Sequence, residues 1–158
     1  MGTHGEQLAG TKLYNMTTTN INLYNGEMKD TDGKVLITEK MKDIYENILY
    51  VLNDQKIYLD AQLNLTKLSQ ILFTNTTYLS RVINIFFKCN LKTLLNKYRI
   101  NYAKELLKEE ECDIRSLPAK CGFVSRSTFY SAFTKFEHIT PSNFRSRIQS
   151  LKLRNKEI

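Results

Sequence analysis

Thr77, Ser80, Arg81, Asn84 and Lys88 hold the polar chemistry of one stretch of this chain. At 100° per residue, Thr77, Arg81, Asn84 and Lys88 point one way and Ser80 lies on the flank. Leu79, Val82, Ile83 and Phe86 cluster on the opposite side. Guanidinium and carboxamide groups form bidentate hydrogen bonds with base edges, arginine with guanine and asparagine with adenine. Lys88, near the helix end, is better placed for phosphate. A second stretch repeats the arrangement with weaker groups. Ser127, Tyr130, Ser131 and Thr134 face away from a stripe of Phe129, Ala132, Phe133 and Phe136, and Arg126 and Lys135 sit on the flanks. Tyr130 suits stacking on a sugar or contact with a thymine methyl, or else it covers the domain surface. The chemistry is binding to a polyanionic groove; an ordinary solvated polar face is the alternative.

The elements that position these residues occur twice. The stripe from Leu79 to Phe86 recurs at Phe129 to Phe136 with a constant offset of 50. At that offset Asn75 corresponds to Ser125, and both types suit a helix N-cap. Leu68 matches Leu117 at an offset of 49, so the first turn is one residue shorter. A short helix, a tight turn and a second amphipathic helix make a helix-turn-helix unit, and the chain carries two. The first spans about 65–88, with Phe73-Thr74 as its turn. The second spans about 113–137, with Asp113 as an N-cap and Gly122 in the turn, where positive φ is cheap only for glycine. Between them, Leu91 to Lys108 forms a linker helix roughly 27 Å long, with a broad apolar side. Upstream, a packing helix starts near Thr38, with Met41, Ile44, Tyr45, Ile48, Leu49 and Leu52 at helical spacing. Downstream, Thr140 caps a last helix with Pro141 at its first position. The segment 1–37 is rich in Thr, Asn and Gly and is expected to be a flexible arm, and 148–158 a basic, frayed tail. The fold class is all-α: two helix-turn-helix subdomains joined by a long linker helix, about seven helices.

Charge follows this division. The 158 residues carry a net +7, but Asn64 to Ile158 holds 17 Lys and Arg against 7 Asp and Glu, a net +10, and Met1 to Leu63 holds 6 against 9, a net −3. The basic excess therefore coincides with the two units, which suits double-stranded DNA. Cys89, Cys112 and Cys121 are odd in number and lack CxxC spacing, as expected of reduced thiols in the cytoplasm or of partly buried packing residues. His4 and His138 stand in no metal-ligand spacing, so no metal or cofactor is expected. No apolar run approaches the roughly 20 residues needed to cross a bilayer. Nucleophile–histidine pairs, Gly-rich phosphate loops and paired carboxylates are not found, so no enzyme is expected.

The second unit, with Gly122-Phe123, Phe129, Phe133 and Pro141-Ser142-Asn143-Phe144-Arg145, resembles the DNA-binding domain of the AraC/XylS family of bacterial transcription regulators. Tyr78-Leu79-Ser80-Arg81-Val82-Ile83-Asn84 extends the resemblance into the first unit, and it covers roughly 65–147. It implies seven helices, one recognition helix in each subdomain, and sequence-specific regulation of transcription. RNA polymerase and a sensor or effector domain are candidate protein partners; no effector barrel is expected within Met1 to Leu63, and oligomeric state stays open. Phe73 and His138 replace usual glycines, and Pro118 replaces a usual small residue in the helix before the second turn. Ile85 and Phe87 are apolar where the family is polar, and are expected to form an exposed contact patch. These departures motivate one competing reading, a protein-interaction module of the same fold with weakened DNA reading.

Overall fold

The structure, a computed structural model, describes residues 23–24, 27–28 and 35–156. The chain divides into two units, 1–37 and 38–158. In the first, β1 (Leu23–Tyr24) and β2 (Glu27–Met28) pair antiparallel, with Leu23 opposite Met28. Apart from these strands and residues 35–37, the expected flexible arm lies outside the described residues. The second unit holds seven α-helices among the described residues: α1 (Glu39–Asn53), α2 (Leu65–Ile71), α3 (Thr76–Phe87), α4 (Leu91–Leu107), α5 (Leu117–Lys120), α6 (Arg126–Glu137) and α7 (Pro141–Lys156). One 3-10 turn, Ile57–Leu59, lies between α1 and α2. The all-α expectation holds. None of the described helices is long and apolar enough to cross a membrane.

Short polar side chains start most of these helices. Thr38 Oγ1 accepts from the Met41 N–H, Asn75 Oδ1 from Tyr78 and Ser125 Oγ from Thr128. Thr140 Oγ1 does the same for Asn143 ahead of α7. Asn64 and Asn90 are two further caps, on α2 and α4. Each satisfies an N–H that has no partner within its helix, typically worth about 1 kcal/mol. Asp113 differs from expectation. It accepts from Arg115 and Ser116, closing a turn before α5 rather than capping the helix itself.

Two hydrophobic cores share the linker helix. Leu91, Leu94 and Leu95 join the core formed by α1, α2 and α3. Ile100, Ala103 and Leu107 join the other, with Leu117, Phe129 and Phe133. Phe129 and Phe133 are fully buried, and Phe133 meets Phe144 of α7 edge-on at 5.6 Å. Each such ring contributes about 1.5–3 kcal/mol by leaving water. The helix therefore serves as one wall of both subdomains, which couples their orientations to a single rod of roughly 26 Å.

The two helix-turn-helix turns close alike. Thr74 N–H reaches back to Ser69 C=O, and Phe123 N–H to Pro118 C=O, each spanning five residues. This closure needs a left-handed residue, which is Phe73 (φ 51°) in the first unit and Gly122 (φ 78°) in the second. Phe73 is 91% exposed, so its ring gains little from burial while its Cβ is crowded. Phe73→Gly is expected to raise stability by about 0.5–1 kcal/mol, since relief of Cβ crowding outweighs the added freedom of the unfolded chain. Thermal unfolding of the two proteins checks this, and a lower midpoint for the glycine variant would refute it. His138 also takes the left-handed conformation (φ 59°) at the end of α6.

Three sequence-based expectations need correction or refinement. Pro118 would shorten or kink its helix at any position beyond the first turn, and it lies in the first turn of a four-residue helix, where a missing N–H costs nothing. Ile85 and Phe87 do not form an exposed patch. Both are partly buried against the first core, where the Tyr45 ring of α1 stacks on Phe86 at 4.5 Å and leans on Phe87 at 5.3 Å. The basic tail is not frayed through 148–156, because α7 continues to Lys156 and Lys152 Nζ bonds the Lys108 carbonyl at 2.6 Å.

Candidate nucleic-acid interface

The turn and cap of the first unit launch α3 with its apolar face on the core. Leu79, Val82 and Ile83 are fully buried, so the remaining face is presented outward. Thr77, Asn84 and Lys88 are exposed, and Ser80 and Arg81 are half-buried. Lys88 is not within the helix: it is the left-handed residue that ends it, with φ 56°. Arg81 is the unusual member. Its Nε and Nη2 are shielded from solvent and have no hydrogen-bond partner among the described residues. The guanidinium lies against the protein with donors unspent, a state that costs about 1–3 kcal/mol for each shielded polar group.

On α6, Phe129, Ala132 and Phe133 are buried, and Arg126, Ser127, Ser131, Thr134 and Lys135 are exposed. Tyr130 is half-buried. Its ring meets Phe129 edge-on at 5.6 Å, and the Arg126 guanidinium covers it at 5.1 Å, with Nη2 donating to the hydroxyl at 3.3 Å. Arg126 and Tyr130 thus form one cationic–aromatic unit on the outer face.

Several cations of the basic half are engaged within the fold. Arg145 donates to the carbonyls of Cys112 and Glu110, fastening α7 to the loop after α4. Lys104 pairs with Glu137 at 2.9 Å in a partly buried bridge. Arg99 is 8% exposed and donates to two backbone carbonyls, Tyr58 from Nε at 2.6 Å and Asp60 from Nη2 at 3.0 Å. Burial holds the Arg99 guanidinium below its ordinary pKa, and the Asp60 charge partly opposes this. It remains cationic at neutral pH. A sequence signal for Arg99 existed. Leu91, Leu95, Arg99, Ala103 and Leu107 recur every four residues, and all five are buried, so the arginine occupies a core position. Cys121 is buried, and desolvation, with a smaller contribution from Cys112, pushes its thiol up to about 12, so it is neutral and unreactive at pH 7.

The family model described as a helix-turn-helix domain matches residues 68–147. A helix-turn-helix-type transcriptional regulator of Bacillus subtilis (strain 168), YtdP, is 26% identical over 110 residues, covering 70% of this chain and 14% of that protein. The melibiose operon regulatory protein of Escherichia coli (strain K12) is 26% identical over 90 residues, covering 57% of this chain and 30% of its own length. The chain thus spans less than a third of either curated relative. Among solved structures, the C-terminal domain of the response regulator AraT from Geobacillus stearothermophilus superposes with a TM-score of 0.59 at 25% identity, covering 70% of this chain and 86% of that one. With two helix-turn-helix units on one linker helix and the family match over the same residues, the chain belongs to the AraC-type helix-turn-helix family of DNA-binding transcription regulators.

Proposed function

We propose that this chain reads double-stranded DNA in a sequence-specific manner, with α3 and α6 in successive major grooves. The observation that carries this reading is the pair of outward polar faces, each set by the same turn and both anchored to α4. A rod of roughly 26 Å suits heads separated by about one helical turn of DNA. Arg81 and Asn84 are the base readers of α3, with Thr77 and Ser80 beside them and Lys88 on phosphate. Ser127, Tyr130, Ser131 and Thr134 contact the second groove, and Arg126 and Lys135 contact its phosphate walls. Because the relatives are much longer, we take this chain as the DNA-binding part of a cytoplasmic regulator. A sensor or effector domain and RNA polymerase are its protein partners. The reading as a protein-interaction module loses its motive, since Ile85 and Phe87 are packed and Pro118 is accommodated.

Selection from a random pool of duplex DNA with the 158-residue chain tests the proposal. The expected product is two blocks of preferred bases about one helical turn apart. A pool that stays random after repeated rounds would overturn it.

A further inference from the structure

We propose that Arg99 is a positioning residue that sets the spacing between the two recognition helices. This rests on the DNA-reading function proposed above. Arg99 lies on α4 between the residues that face one core and those that face the other. Its guanidinium is where three pieces meet. Nε and Nη2 grip the carbonyls of Tyr58 and Asp60, in the segment that leads into the first helix-turn-helix unit. Its Cζ lies over the ring of Phe123, 5.5 Å from the ring centre, in the turn of the second unit. Gly122, next to Phe123, touches the same backbone: a Cβ there would stand 2.7 Å from both the Tyr58 and the Leu59 carbonyl oxygens. The turn that aims α6 is therefore seated directly on the segment preceding α2, and one buried arginine holds both.

The chemistry explains why the residue is arginine. Two carbonyls from different residues need two N–H groups in a fixed fork, and the aromatic neighbour needs a flat cation. Lysine supplies a point charge on a flexible stem and meets neither demand well. Without the fork, the heads remain joined by α4 and by the packing of the Gly122 turn on the Tyr58–Leu59 backbone, with no polar clamp between them. Each still folds on its own core, but the angle between them is no longer fixed at the junction. The consequence is specific to DNA sites with two blocks: the energetic penalty for wrong spacing falls, while affinity for a single block is unchanged.

The test uses the full chain and the DNA selected by it, with one or two base pairs inserted between the preferred blocks. Wild type is expected to lose at least about tenfold in affinity per insertion, as for rigidly spaced heads. Arg99→Lys, shown folded by its helical circular dichroism, is expected to lose less than about threefold and to bind a single block as wild type does. Phe123→Leu, which keeps an apolar side chain but removes the flat face, is expected to fall between them. An insertion penalty in Arg99→Lys equal to that of wild type overturns the inference. Where Arg99→Lys does not fold, a wild-type penalty in Phe123→Leu overturns it. Wild type that prefers its selected site to scrambled DNA yet ignores spacing also overturns it, and leaves DNA reading intact. Wild type that binds selected and scrambled DNA equally overturns DNA reading itself.

Discussion

Raising sodium chloride from 50 to 200 mM is expected to weaken DNA binding roughly 10³-fold, for about six neutralised phosphates. The net +10 of residues 64–158 drives this, but the number of cations alone would overstate it. Arg99 and Arg145 are spent on backbone carbonyls, and Lys104 on Glu137. Lys67 pairs with Asp60, and Lys108 with Glu105. What remains for DNA is the exposed set that includes Lys88, Lys92, Arg126, Lys135 and Arg147. Each phosphate contact releases condensed counterions, so log affinity against log salt should fall with a slope of about −5. Titrations of a labelled duplex at several salt concentrations give the slope directly. A slope near zero would mean that the basic surface does not meet the phosphates. A slope far steeper would mean that cations engaged in the free protein are released on binding.

The residues that face the core were legible in the sequence, and those that join the subdomains were not. The offset of 50 placed Leu79, Val82 and Ile83 in register with Phe129, Ala132 and Phe133, and all six are buried. Period and burial go together because a helix has only one face to give to a core. Asn75, Ser125 and Thr140 were recognisable as caps because short oxygen-bearing side chains before an apolar run have few other uses. Ile85 and Phe87 were misplaced for the opposite reason. A helical wheel shows which side a residue is on, but not that α1 crosses that side with Tyr45. The role of Arg145 is not legible in the sequence, because its acceptors, backbone carbonyls of the 110–112 loop, have no sequence signature. For Arg99 the four-residue repeat with Leu95 and Ala103 marked a buried position, yet its partners lie 39 and 41 residues away in sequence.

Arg81→Ala is expected to cost about 1–3 kcal/mol of affinity on the preferred site, and to relax sequence preference there. Under the proposed function the two recognition helices are unequal readers. The first carries Arg81 and Asn84 one turn apart, groups able to make two hydrogen bonds to one base. The second offers mainly hydroxyls, which donate or accept and so discriminate poorly, and its one nearby guanidinium, Arg126, lies over Tyr130. The unpaired Nε and Nη2 of Arg81 sharpen the expectation. Those donors are shielded in the free protein, so a base contact needs the side chain to swing out of its resting position, and that movement ends the cost of leaving them unpaired. By the same reasoning the alanine variant should be no less stable than wild type in the absence of DNA, because it removes shielded donors and no hydrogen bond. Ser127→Ala should cost less than Arg81→Ala, and Arg126→Ala should weaken binding evenly across sequences, as loss of a phosphate contact does. Affinities of each variant for the selected site and for scrambled DNA, with thermal unfolding of the free proteins, measure all of this. If Arg81→Ala leaves the ratio of the two affinities unchanged while Ser127→Ala collapses it, α6 is the chief reader and the assignment of α3 is wrong. If Arg81→Ala instead unfolds the free protein, the guanidinium is a packing element of the first subdomain, and base reading on α3 falls to Asn84.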